Sequence, residues 1–294
     1  MRAPSFVSVE EQEQEVQGPT KRYRIVLPIK IRKAFVARPN YYMLSGDYKA
    51  IEFRIMLLMA GEETIIDEIM RGEDVHVNTA KMALGAANPT EEQRDVAKTL
   101  NYGILYGMDV RSLRDRLKIT DEDAHQIHGR FLSRIPKIVQ WKLEVEKFAK
   151  KNGYVKTYFG RKRFIRDLTD AKNEPTPQLR RMRYSRGLRG AVNTVIQGGA
   201  ADVMRFGLAR MGEVIGPYVK DGRAHQLATL HDQILNEFRK DVPLKESVAL
   251  MRSAMEFPIN GWRLPMEVDF TTGQNWGNLK KVNNHVEHTK LVIE

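Results

Sequence analysis

The chain has 294 residues, 42% hydrophobic and 29% charged, a globular composition that excludes collagen, coiled coil and low-complexity disorder. Cysteine is absent, which excludes disulfide scaffolds and cysteine-ligated zinc or iron–sulfur centres and suits a cytoplasmic location. Lys plus Arg is 48 against 37 for Asp plus Glu, a net +11; such a surplus favours a polyanionic partner, nucleic acid before membrane. No apolar run approaches the ~20 residues of a membrane span, and Met1 to Gly18 has no signal-like apolar core, so no membrane partner is expected.

Residues 1–30 read as an N-terminal arm or fragment edge, with an acidic stretch from Glu10 to Glu15 and then Gly18-Pro19. Tyr41 to Ser45 reads as a strand ending at Gly46-Asp47, and Ile51 to Ala60 continues as a helix. Helical patterns follow at Glu63–Arg71, Val75–Leu84, Thr90–Tyr106, Thr120–Ile135 and Lys137–Lys151, punctuated by Gly72, Gly85, Gly107 and Pro136. Gly153 to Ile165 alternates like a hairpin, and Gln178 to Ile215 is one long helical stretch with a candidate kink at Gly198-Gly199. Leu227–Leu230 and Gln233–Phe238 read as strands about a tight turn at His231-Asp232. Pro243–Phe257 reads as an amphipathic helix and Leu264–Phe270 as a last strand. Strands early and late with helices between predict an α+β body whose helical middle is an insertion. No GxxxxGK[ST] loop is present, which argues against a P-loop ATPase.

Three constellations carry chemistry. Asp47 closes one apolar strand and Asp232 sits at the turn of an apolar hairpin. Each alone is an ordinary turn residue, but a pair of carboxylates beside buried strands in a basic protein suggests Mg²⁺, which takes hard oxygen ligands and substrate phosphates. Arg94, Lys98, Tyr102 and Tyr106 recur every four residues, so on a helix they form one slanting stripe. Its order suits a nucleoside triphosphate, with phosphates on the cations and sugar and base on the aromatics; standing alone it would read as a solvated basic edge. Arg189, Asn193 and Gln197 form a second stripe able to reach minor-groove acceptors. Arg180, Arg181, Arg183 and Arg186 lie upstream as a candidate phosphate track, and Gly160-Arg161-Lys162-Arg163 is another basic turn.

In this order the pieces resemble the family A DNA polymerases, the DNA polymerase I type. Asp47-Tyr48-Lys49-Ala50-Ile51-Glu52-Phe53-Arg54 is similar to motif A, Arg94 to Gly107 to motif B, and Leu230-His231-Asp232-Gln233 to motif C. Gly72 to His76, Gly153 to Val155, Phe159 to Arg161 and Gln197 to Asp202 fall where the family has similar stretches, and the likeness runs from about Ile31 to Lys280. The resemblance implies a right-hand palm, an antiparallel sheet with helices, and a helical fingers insertion. It divides the chain into palm (31–61), fingers (62–184), palm (185–281) and a tail (282–294).

It also implies roles. Asp47 and Asp232 would be catalytic and hold two Mg²⁺ ions with the Tyr48 carbonyl. His76, Arg94 and Lys98 would grip the dNTP triphosphate, Tyr102 would pack on the sugar, Tyr106 would guard the template position, and Glu52 would reject a 2′-hydroxyl. Arg161, Arg189, Asn193, Gln197 and His231 would touch primer–template DNA.

The chain departs from the family in three places. Lys49-Ala50 replaces the usual Ser-Gln, Gln233 stands where an acidic residue follows the motif C aspartate, and Tyr102 replaces the Phe of many relatives. Only 46 residues precede Asp47, too few for the family's thumb. A split polymerase, an excised fragment and a reduced enzyme all fit this layout; the expectation is the split form, phage-encoded, whose thumb and 3′-5′ exonuclease come from a separate chain. The competing readings are a single-subunit RNA polymerase relative, opposed by Glu52, and a catalytically silent DNA-binding subunit, opposed by retention of Asp47, Arg94, Lys98 and Asp232.

Overall fold

The computed structural model describes residues 31–105 and 107–282; the expected N-terminal arm, Tyr106 and residues 283–294 lie outside the described residues. In chain order the regular elements begin with β1 (Tyr41–Tyr48), α1 (Ile51–Ala60), α2 (Glu63–Met70), α3 (Val75–Leu84) and α4 (Glu91–Leu105). Then come α5 (Val110–Leu117), α6 (Asp121–Arg134), α7 (Pro136–Asn152), β2 (Tyr154–Lys156), β3 (Lys162–Phe164) and α8 (Arg166–Asp170). The last are α9 (Pro177–Lys220), β4 (Ala224–Leu230), β5 (Gln233–Arg239), α10 (Leu244–Met255), β6 (Val268–Gly273) and β7 (Lys280–Lys281).

Five strands form one sheet in the order β4-β5-β1-β6-β7, and its pairings are antiparallel. Side chains alternate across a strand, so Leu44 and Tyr48 of β1 join Ile234 and Phe238 on one face. There they pack against Met204 and Met211 of α9 and Met251 and Met255 of α10. The opposite face carries only a small apolar cluster around Ala37, Met43 and Leu235, and it is the face to which Asp47 belongs. A second core binds the helical insertion: Leu57, Ile65, Leu100, Leu113, Phe131 and Trp141 pack with Val192 and Ile196 of α9. Each such fully buried side chain contributes ~1.5–3 kcal/mol. Helix α9 serves both cores; its 44 residues reach about 66 Å.

Capping follows the expected chemistry. Asp74, Asp109, Thr120 and Thr176 accept backbone N–H groups at the starts of α3, α5, α6 and α9, while Pro136 and Pro177 open α7 and α9. Some boundaries differ from the sequence reading. β1 runs on through Asp47 to Tyr48 because neighbours on both sides pair with it. β6 starts at Val268, not Leu264: Pro265 has no N–H, and its carbonyl is taken by Arg54 at 2.7 Å. α5 was not expected, since only Leu113 of its eight residues is buried. α9 passes through Gly198-Gly199 without interruption; Thr157, Arg161 and Ile55 crowd against these glycines, leaving no room for a side chain at Gly198. Among the described residues no helix is long and apolar enough to cross a membrane.

Candidate active site

The two aspartates meet through sheet register. Asp47 lies opposite Gln233 of β5 on one side and Asp269 of β6 on the other. Leu230 pairs with Gln233, so His231 and Asp232 form a two-residue turn, and Tyr48 N–H donates to the Asp232 carbonyl at 3.1 Å. His231 holds φ 55° to close this turn, a left-handed conformation that a non-glycine residue adopts only when its surroundings impose it. Asp47 opens toward solvent, yet its carboxyl is pushed up to about 6: flanking protein displaces water, and the charges of Asp232 and Asp269 repel its own. The Tyr48 ring lies on the core face, where its hydroxyl donates to the Met255 carbonyl at 2.9 Å.

Of the nucleotide-binding candidates, Tyr102 lies beside this turn and links it to His76. Tyr102 is half-buried between Phe53 (ring centroids 6.2 Å) and His76 (5.9 Å). Burial raises its phenol pKa, and the charges of Asp232 and Glu52 raise it further, so the phenol stands close to the His231-Asp232 turn and the first turn of α1. His76 is held neutral chiefly by burial, with Arg94 and Lys98 also opposing its protonation. Asn101 settles its tautomer: its Oδ1 accepts from Thr79 Oγ at 3.1 Å, so its amide N–H donates to His76 Nδ1 at 2.9 Å and the ring proton sits on Nε2. Arg94 is engaged by Asp74 at 2.8 Å and by Glu91 at 3.2 Å, while Lys98 is exposed. Tyr106, the last of the expected stripe, lies outside the described residues.

Along α9, Arg189 and Gln197 are exposed and Asn193 is half-buried; the Arg189 stem lies against Gly107, just past α4. Arg161 departs from a simple DNA-contacting reading. Its Nε donates to Asp202 at 2.7 Å and its Nη2 to the Gly198 carbonyl at 2.8 Å, so it ties the β2–β3 hairpin to α9 with only its outer edge open. Three of the four arginines of the candidate phosphate track are engaged within the chain. Arg183 bridges Asp167, Asp170 and Glu174, Arg186 binds Asp167, and Arg180 donates to the Glu174 carbonyl. These arginines clamp the 166–176 segment onto α9.

Asp47 and Asp232 fit a divalent cation. Their oxygens are hard donors, and repulsion around Asp47 is relieved by positive charge. Among the described residues no three or more His, Asp or Glu side chains are gathered to hold an ion unaided, so a bound ion would need further oxygens, such as substrate phosphates. Sequence reasoning missed Asp269, whose only signal was one charge inside an apolar strand. It missed Lys49 as a partner, although Nζ lies 3.3 Å from Asp269 and 3.4 Å from Glu267. Burial opposes the charge on Lys49, but these two carboxylates outweigh it and hold its pKa above the usual lysine value. It also missed Asp74 and Asn101, which organise Arg94 and His76.

Comparison with known proteins shows the family. The family model described as DNA polymerase family A matches residues 18–278. DNA polymerase I, thermostable, of Thermus filiformis is 32% identical over 262 residues, covering 88% of this chain and 30% of the relative. DNA polymerase I of Lactococcus lactis subsp. lactis is 32% identical, covering 85% of this chain and 28% of the relative. This chain thus spans about 30% of the length of the curated relatives it matches. A solved structure, the POL domain of Pol1 from M. smegmatis in complex with DNA primer-template and dNTP, is similar with TM-score 0.70 and 30% identity, covering 84% of this chain and 42% of that one. Matched across most of its length in both sequence and fold, the chain belongs to DNA polymerase family A.

Proposed function

We propose that this chain carries out template-directed DNA synthesis, joining a dNTP to a primer 3′-hydroxyl. One observation carries the reading: sheet register brings Asp47 and Asp232 together, and Tyr102, in ring contact with His76, lies where it feels the Asp232 charge. Two Mg²⁺ ions would be held by the Asp47 and Asp232 carboxylates and the Tyr48 carbonyl. Bound there, they would neutralise phosphate charge and favour the alkoxide form of the primer hydroxyl. Arg94 would exchange Asp74 for the triphosphate, with Lys98 beside it. This exchange costs little, because exposed ion pairs contribute only ~0–1 kcal/mol. His76 would donate from Nε2. Tyr102 would pack on the sugar, Glu52 would exclude a 2′-hydroxyl, and Tyr106 would act at the template position.

Arg189, Asn193, Gln197, His231 and the open edge of Arg161 would contact primer–template DNA. In this reading residues 31–61 and 185–281 are palm and 62–184 fingers, and synthesis takes place in the cytoplasm. The test is primer extension by the purified chain with Mg²⁺ and four dNTPs, with and without a thumb-bearing partner. Dependence of extension on template sequence supports the reading; no incorporation under either condition overturns it.

A further inference from the structure

Three side chains stand in a row on the open face of the sheet: Gln233 on β5, Asp47 on β1 and Asp269 on β6. Directly opposed residues on antiparallel strands place their Cβ atoms about 4.5–5.5 Å apart. Asp269 is therefore a direct cross-strand neighbour of Asp47, within range of an ion held by that carboxylate. Register alone would make it a third ligand. Lys49 opposes this. It lies two residues beyond Asp47 on the same face, and its Nζ sits 3.3 Å from Asp269 Oδ1. Its other partner, Glu267, has a second cation of its own: Arg54 Nη2 lies 3.1 Å from Glu267 Oε2. Arg54 is itself fixed, because Nε donates to the Lys49 carbonyl at 3.1 Å and Nη1 to the Pro265 carbonyl. Removing Lys49 would leave Glu267 paired and Asp269 bare.

On the reading of Asp47 and Asp232 as the cation site, we propose that Lys49 is a positioning residue that withholds Asp269 from that site. With the Asp269 carboxylate engaged by Lys49, the ion is held by two carboxylates and keeps its remaining positions for substrate oxygens. A free Asp269 would bind the same ion, tighten it and draw it toward β6, away from Asp232. Lys49 therefore tunes how many protein charges the ion meets, and it acts through Asp269 without touching the nucleotide.

The test measures Mn²⁺ alone binding to the full chain, by electron paramagnetic resonance, beside single-nucleotide incorporation. Lys49→Met should bind Mn²⁺ roughly tenfold tighter, the low end of what partners of metal ligands change, and should incorporate nucleotide several-fold more slowly. Adding Asp269→Asn to Lys49→Met should reverse both effects. Lys49→Arg and Asp269→Asn alone should keep the parent Mn²⁺ affinity, and they carry the test if Lys49→Met fails to fold. Unchanged Mn²⁺ affinity in Lys49→Met overturns the proposal. So does a raised dNTP KM that Asp269→Asn does not rescue, which would make Lys49 a phosphate contact. If Asp47→Asn leaves Mn²⁺ binding intact, the cation-site reading itself falls, and the proposal falls with it.

Discussion

The sheet and the helical insertion fix their functional side chains in different ways. On the sheet, Asp47 is set by backbone register on both flanks, and Tyr48 N–H stitches the end of β1 to the Asp232 carbonyl. Moving either carboxylate means moving strands. In the insertion, Arg94 is held by side-chain contacts to Asp74 and Glu91 and is about one-third exposed, while His76 depends on one amide of Asn101. Contacts of that kind exchange readily. On the proposed reading, ion-binding oxygens need fixed spacing, whereas groups that seize and release a nucleotide must let go. The division of labour matches the two kinds of scaffold.

The hardest way to break the comparison is at the strand-borne pair. Asp232→Asn and Asp47→Asn should each lower nucleotide addition by more than the roughly 100-fold seen when a metal ligand loses an outer partner. DNA affinity, read by fluorescence anisotropy, should change by less than about threefold, because neither side chain is a phosphate contact. Comparable extension by either variant would remove the pair from the chemistry.

Packing should show the same asymmetry. A Cβ on Gly207 would sit 2.8 Å from the Tyr48 hydroxyl, which is anchored to the Met255 carbonyl. Gly207→Ala must break that buried bond at a cost of about 1–3 kcal/mol, against a helix-propensity gain of about 1 kcal/mol. A net loss of about 1 kcal/mol in denaturant melts is expected, with slower chemistry because Tyr48 adjoins Asp47. A Cβ on Gly103 in α4 meets mainly the Met108 thioether, which can swing aside, so Gly103→Ala should be near neutral. Equal losses at the two sites would erase the distinction.

Asn101→Leu probes the exchangeable half. It removes the donor that keeps the His76 proton on Nε2 and strands the Thr79 hydroxyl. The dNTP KM should rise about fivefold, near the ~1 kcal/mol of one hydrogen bond, with kcat changed less. A kcat loss at constant KM would make His76 a group for the chemical step.

Much of this was legible in the residues, and what escaped had a physical reason. Asp47, Asp232 and the stripe at Arg94, Lys98 and Tyr102 show themselves only in combination: two carboxylates beside apolar strands, and cations and an aromatic at helical spacing. β1, α9 and the β4–β5 hairpin carry strong local signals of the same sort. Lys49–Asp269 does not: its two residues are 220 positions apart, and only the β1–β6 register joins them. The arginines at 180, 183 and 186 misled for the opposite reason. Charge counting sees cations, but the acidic partners at 167, 170 and 174 become partners only after α8 folds back on α9.

pH tests whether Asp47 is a strained member of the sheet. Its carboxyl titrates near 6 in the folded chain against an ordinary 3.8, so between those values the folded state holds a proton the unfolded state has lost. Stability from this group is present below about pH 4 and is lost as pH rises through 6. Asp74, Asp167 and Asp241, held below the usual carboxylate range, act in the opposite sense. The readable quantity is therefore the difference between the parent chain and Asp47→Asn in chelator. The variant should gain Tm relative to the parent from pH 4 to 6.5, and Mg²⁺ should cancel the gain at pH 7. A pH-independent difference would mean that Asp47 is not under charge stress.

The smallest effect lies at the junction of the two regions. Ala50 holds φ 47° and ψ 42° as it turns the chain from β1 into α1, and it makes no side-chain cap. An alanine in this left-handed region costs about 1–2 kcal/mol, while glycine there adds about 0.5–1 kcal/mol of unfolded-state entropy to be lost. Ala50→Gly should thus stabilise the chain by about 0.5 kcal/mol, a small rise in melting midpoint. Its effect on incorporation separates the two scaffolds. If Arg54, which caps this turn through the Lys49 carbonyl, and the strand register fix Asp47, loosening Ala50 leaves kcat unchanged. A fall in kcat alongside the gain in stability would show that the strained turn, and not the sheet alone, holds the Asp47 carboxylate in place.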